Sequence, residues 1–139
     1  MSEPLVLCAV DLGPSTSKVL YHAVGLSRVL GAGLKILHVG ADESTELRTR
    51  VFNECERLAP YEAAISPDAV VLATGRVSEA IQREALRAGA TLLVVGSRGH
   101  GGIARLLLGS TSEALLGLAR TPVLLVPPTD MDIVSLGDR

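Results

Sequence analysis

The chain has 139 residues, 47% of them hydrophobic and 2% aromatic, with 13 basic and 15 acidic side chains for a net charge of -2. That apolar content excludes a disordered chain, and the length suits one domain with a core of Leu, Val, Ala and Ile. A near-neutral balance with only Phe52, Tyr21 and Tyr61 as aromatics argues against nucleic-acid binding, which needs a clustered basic stripe or a stacking platform.

No apolar run approaches the roughly 18 residues that a membrane span requires. The opening Met1-Ser2-Glu3-Pro4 lacks the basic flank and cleavage signal of a secretory leader. Cys8 and Cys55 cannot form a disulfide scaffold and read as buried thiols in a reducing compartment. The expectation is a cytoplasmic protein without membrane or nucleic-acid partners.

In chain order, Leu5–Val10 is a solid apolar run ending at Asp11. From Ser15, a helical stripe of Val19, Ala23, Leu26 and Leu30 stops at Gly31-Ala32-Gly33. Leu34–Val39 is a second run, followed by a helix from about Ser44 to Ala59 that carries Leu47, Val51, Cys55 and Leu58 and halts before Pro60. Ala69–Ala73 is a third run, and from Arg76 the positions Val77, Ala80, Ile81, Ala85 and Ala88 mark a helix ended by Gly89. Leu92–Val95 reaches Gly96, a helix from Ser110 turns Ala114, Leu115 and Leu118 to one side, and Val123–Val126 is the last run. Solid rather than alternating hydrophobicity marks strands buried on both faces. Five strands and four helices in alternation, without linker or repeat, spell a three-layer α/β sandwich on a parallel sheet. The tail, 129–139, has no helical stripe and reads as loose.

Ligands of open α/β sheets sit beyond the carboxyl ends of the strands, where strand order reverses. The richest such segment is Gly96-Ser97-Arg98-Gly99-His100-Gly101-Gly102, leading after Leu108 to Gly109-Ser110-Thr111-Ser112-Glu113. Glycines let main-chain N–H groups approach an anion, and the helix start at Ser110 adds unpaired N–H groups, a positive dipole end and hydroxyls. Arg98 supplies a cation. The same residues also have a plain structural reading, because Ser110-x-x-Glu113 is a capping box and Gly101-Gly102 can be a mere connection.

Other chemistries lack their residues. Gly96 to Gly101 has the glycine spacing of a P-loop, but Gly102-Ile103 stands where Lys and Ser/Thr belong. There is no G-x-G-x-x-G, no G-x-S-x-G elbow and no metal-ligand spacing among Cys8, Cys55, His22, His38 and His100. His22 reads as a surface or packed residue, and His38 as a satisfied histidine near a strand end. His100 reads as a phosphate donor or an exposed loop residue. Asp11 either caps the helix that begins near Ser15 or hydrogen-bonds a ligand hydroxyl or amine.

The spacing Gly96-x2-Gly99-x9-Gly109-Ser110 is similar to the nucleotide-binding motif of the universal stress protein family. Ala9-Val10-Asp11, Leu37-His38-Val39, Leu93 to Gly99 and the closing Thr121 to Pro127 resemble the family's standard stretches, so the likeness covers nearly the whole chain. It implies a Rossmann-like sheet in the order 3-2-1-4-5 with helices on both faces, a domain over 1–128, and a dimer formed through the last strand. It also implies ATP binding, with Mg2+ or Mn2+ held through the phosphates. By position, Ala9 and Asp11 border the adenosine, and Val39 offers main-chain groups to the adenine edge. Gly96, Arg98, Gly99 and His100 wrap ribose and phosphates, and Gly109, Ser110, Thr111 and Ser112 hold the distal phosphates.

Two departures reshape the site. Asp11-Leu12-Gly13-Pro14-Ser15 replaces the family's Asp-Gly-Ser, and the 41–67 connection is short. A more open cleft of this kind suits weaker ATP binding or another adenine nucleotide, cyclic AMP included. The implied function is an ATP-occupied regulatory module of the stress response. The alternatives are a slow ATPase, a cyclic-AMP binder, or a nucleotide-free dimeric interaction protein. Val123, Leu124, Leu125 and Val126 form an uncharged run on an edge strand, and pairing it with a second copy about a two-fold axis removes the exposed edge.

Overall fold

The computed structural model describes residues 3–60, 63, 65–96 and 121–127. The elements are β1 (Leu5–Ala9), α1 (Thr16–Leu30), β2 (Gly33–Val39), α2 (Thr45–Leu58), a 3-10 turn (Pro67–Ala69), β3 (Val70–Ala73), α3 (Val77–Ala88), β4 (Leu92–Gly96) and β5 (Val123–Val126). Every pairing is parallel, in the order β3-β2-β1-β4-β5. The register sets Cys8 beside Ile36 on one side and Val94 on the other, so β1 is the central strand.

The strands are apolar, Lys35 and His38 of β2 apart, because both their faces are covered. On one face Val6, Cys8, Val10, Ile36, Val94 and Val126 meet Val19, Leu20 and Ala23 of α1 and Val51 and Cys55 of α2. On the other, Leu7, Ala9, Leu37, Ala73, Leu93 and Val95 meet Ala80, Ile81 and Ala85 of α3. Each fully buried Leu, Ile or Val contributes about 1.5–3 kcal/mol relative to an exposed one. Glu84 is buried on α3, where its carboxylate lies 3.4 Å from both Arg83 Nε and Arg87 Nη1. Burying an acid is tolerable only with such partners. Arg83 also donates to the Thr74 carbonyl at 3.3 Å, fastening α3 to the end of β3.

The helix ends follow from local chemistry. Gly31 (φ 60°) and Gly89 (φ 67°) stop α1 and α3 in the left-handed conformation that a side chain disfavours. Ser44 caps α2 by accepting from the Leu47 N–H at 3.1 Å. Boundaries differ from the sequence reading by a residue. β1 stops at Ala9 although the Val10 N–H still donates to the Leu37 carbonyl at 2.9 Å, and Ala69 belongs to the 3-10 turn that feeds β3. The fourth helix, from Ser110, and the 129–139 tail lie outside the described residues. No helix among the described residues is long and apolar enough to cross a membrane.

Candidate functional site

With β1 flanked by β2 and β4, the sheet order reverses between β1 and β4: crossovers from β1 and β2 run one way, and the crossover from β3 runs back to β4. This is the position where open α/β sheets hold ligands. The carboxyl ends of those three strands carry Ala9, Asp11, Val39 and Gly96, which the fold therefore brings to one end of the sheet. Arg98, Gly99, His100, Gly109, Ser110, Thr111 and Ser112 lie outside the described residues.

Ala9 is buried and turns its methyl into the α3 face of the sheet, where a half-buried Val39 packs beside the same cluster. Asp11 is half-buried at the mouth. Its Oδ1 accepts from the Gly13 N–H at 2.8 Å, closing a turn within the loop, and the Gly13 carbonyl accepts from the Thr16 N–H at 3.1 Å as α1 begins. Ser15, the residue at the helix boundary, makes no side-chain cap bond, and the first turn of α1 carries no acid. Leu12 adopts φ 63°, the one non-glycine residue with a positive φ among those described, so the loop leaves the sheet abruptly after Asp11.

His38 is half-buried at the end of β2, with Nδ1 2.9 Å from the Val10 carbonyl oxygen. A carbonyl only accepts, so Nδ1 carries the hydrogen. The reading of a satisfied histidine holds, and the bond ties β2 to the residue before Asp11. Sequence reasoning placed Gly40 with Val39 among the residues that follow a strand at the ligand end of the sheet, but gave it no packing role. A Cβ there would lie 2.9 Å from Leu47 Cδ2 and 3.2 Å from His38 Cδ2, so the imidazole is seated against bare backbone. The signal was available, as a glycine directly after an apolar strand. Sequence reasoning passed over Arg48, whose guanidinium donates to the Val70 carbonyl and joins α2 to the start of β3.

A groove of about 410 Å³ runs beside the loop, between Leu12, Gly13, Pro14, Ser17 and the Glu54, Arg57 and Leu58 end of α2. Arg57 is engaged there by Glu54 through two bonds of 3.1 and 2.8 Å, which hold the Glu54 carboxyl below its usual range. No group of three or more His, Cys, Asp or Glu among the described residues could hold a metal ion.

A family model described as the universal stress protein family matches residues 5–127. The chain is 31% identical over 144 residues to the universal stress protein YxiE of Bacillus subtilis, covering 87% of this chain and 97% of that one. A solved universal stress protein in complex with cAMP superposes with a TM-score of 0.66 at 21% identity, over 93% of this chain and all of that one. The universal stress protein of Archaeoglobus fulgidus in complex with dAMP does so with a TM-score of 0.59 at 17% identity, over 90% and 98% of the two chains. These superpositions agree with the strand order described above. A family match running from β1 through β5, together with a near full-length relative, establishes that the chain belongs to the universal stress protein family.

Proposed function

We propose that this protein is an adenine-nucleotide-binding regulatory module that takes ATP and acts on partners through nucleotide occupancy, in the cytoplasm. The observation that carries the reading is the convergence of Asp11, Val39 and Gly96 at the switch point of the sheet, with Gly96 the first glycine of the G-x2-G-x9-G-[ST] spacing. That cAMP and dAMP occupy two solved relatives of the same fold supports an adenine nucleotide as the ligand class.

In this reading Ala9 and Asp11 border the adenosine and Val39 meets the base edge. Gly96, Arg98, Gly99 and His100 wrap ribose and phosphate, while Gly109, Ser110, Thr111 and Ser112 take the distal phosphates. Glycine amides and a helix start suit phosphate oxygens because they supply N–H donors without a Cβ in the way. A divalent ion, Mg2+ or Mn2+, would be carried by the phosphates, which neutralise it without needing a carboxylate cluster of the protein. A domain over 1–128 and a homodimer through Val123, Leu124, Leu125 and Val126 complete the proposal.

Calorimetric titration with ATP in the presence of Mg2+ tests it, with AMP, cAMP and dAMP as parallel arms. Saturable ATP binding, weakened about tenfold by Gly109→Ala or Ser110→Ala, is the expected result. Binding of cAMP with no heat from ATP would reassign the ligand to a cyclic-nucleotide class. Silence in every arm would leave an interaction protein whose glycine loop is structural.

A further inference from the structure

We propose that His38 is a positioning residue that frees the main chain of Val39 to read an adenine edge; this rests on the nucleotide reading above. In a parallel pair, a residue that donates across the ladder accepts two residues further along the partner strand. The Val10 N–H donates to the Leu37 carbonyl at 2.9 Å, so the next rung of the ladder is the Val39 N–H on the Val10 carbonyl. Among the described residues that main-chain bond is not made. The Val10 carbonyl is taken instead by His38 Nδ1 at 2.9 Å.

The release is one-sided. On the β3 side the ladder continues, with the Gly40 N–H donating to the Ala73 carbonyl at 2.9 Å. On the β1 side Leu12, at φ 63°, takes the chain out of the sheet one residue after Asp11. In an extended residue the N–H and C=O point to the same side, so both main-chain groups of Val39 face the gap beside Asp11. The imidazole is held in this office by packing, since a Cβ on Gly40 would sit 3.2 Å from its Cδ2 and 3.3 Å from its Nε2.

An N–H beside a C=O matches the N1 acceptor and N6 amino donor of adenine. Guanine shows the reverse, a donor at N1 and an acceptor at O6. The edge that His38 opens therefore selects adenine over guanine nucleotides, and its loss should cost discrimination as well as affinity.

Amide hydrogen exchange on the 15N-labelled, nucleotide-free protein reads the first half of the proposal. The Val39 amide should exchange much faster than that of Leu37 inside the ladder. In His38→Phe, which keeps a ring but no donor, Val39 should become protected as its N–H returns to Val10. His38→Asn can donate to the same carbonyl and should leave Val39 as it is in the unmutated protein. Titration with ATP and with GTP reads the second half: His38→Phe should bind ATP about tenfold more weakly and lose the preference over GTP, while His38→Asn retains it.

A Val39 amide as protected as Leu37 in the unmutated protein would overturn the proposal, and so would one ATP-to-GTP ratio across all three proteins. Should His38→Phe fail to fold, the exchange of the unmutated protein and of His38→Asn still decides. If no nucleotide binds the unmutated protein, the nucleotide reading falls, while the exchange measurement rules separately on whether His38 displaces Val39 from the ladder.

Discussion

Gly40 occupies a place where the missing side chain is itself a structural component. Its backbone lies under the His38 ring and beside Leu47, the first at 3.2 Å and the second at 2.9 Å from where a Cβ would stand. Leu47 can swing a methyl away, but the ring is tethered to the Val10 carbonyl and cannot retreat without losing that bond. Gly40→Ala should therefore destabilise the fold by about 1–2 kcal/mol, in the range of an overpacked core position. Chemical denaturation checks this, and the loss should shrink when His38→Ala is combined with it, because the obstructing ring is gone. Asp11 teaches a related lesson. Its spacing from Ser15 allows a helix cap, and the positive φ of Leu12 also brings the Gly13 N–H to its Oδ1 at 2.8 Å. Choices between two nearby donors depend on backbone angles that no residue pattern reveals.

At the scale of the element, β5 stands at the edge of the sheet, with β4 its one neighbouring strand among the described residues. Val123, Leu124 and Leu125 are half-buried and only Val126 is fully buried. An apolar edge without a charge to interrupt it favours pairing with a like strand, and a two-fold arrangement closes the contact after two copies. Pro122 and Pro127, which bracket the strand, lack the N–H donors that a longer ladder would need and confine the pairing to this segment. Sedimentation at micromolar concentration should find a dimer for the unmutated protein and a monomer for Leu125→Lys. A monomeric unmutated protein would reject this mode of assembly.

At the scale of the whole molecule, the two thiols share the core between the sheet and its α1–α2 layer. Burial pushes the Cys55 thiol up to about 11, with the Glu54 charge adding to it, and pushes the Cys8 thiol upward as well, helped by Cys55. In the unfolded chain both titrate near about 8.5. Below that pH the neutral thiols stabilise the fold fully. As the pH rises above it the unfolded state loses protons that the folded state keeps, so stability falls by up to about 1.4 kcal/mol per pH unit for each thiol. The urea midpoint should accordingly drop between about pH 9 and 11, and the slope should flatten in a Cys8→Ala/Cys55→Ala protein. An unchanged slope in that variant would assign the alkaline loss to other groups. The same burial keeps thiol reagents from reacting quickly with the native protein at neutral pH.

The number and chain order of the strands and α-helices from β1 through α3 and on to β4 and β5 were legible in the residues alone, while the 3-10 turn before β3 was not. A strand covered on both faces must be apolar throughout, whereas a helix covered on one face must repeat its apolar residues every three or four positions. The placing of Asp11, Val39 and Gly96 at one end of the sheet was legible for a similar reason, since whatever follows each apolar run of a parallel sheet stands at that end. The fourth helix and the loop from Arg98 to Ser112 fall outside the described residues, and their part of the site stands on the spacing alone. What only the tertiary structure decided is how hydrogen-bond partners are shared where strands end. The Asp11 carboxylate went to Gly13 and the Val10 carbonyl to His38 in place of Val39, with the His38 ring seated on Gly40. Periodicity fixes which side of an element is buried, because burial is set by many residues together. A single donor's choice between two acceptors turns on ångström-scale placement across strands that are distant in sequence, and that placement exists only once the sheet has formed.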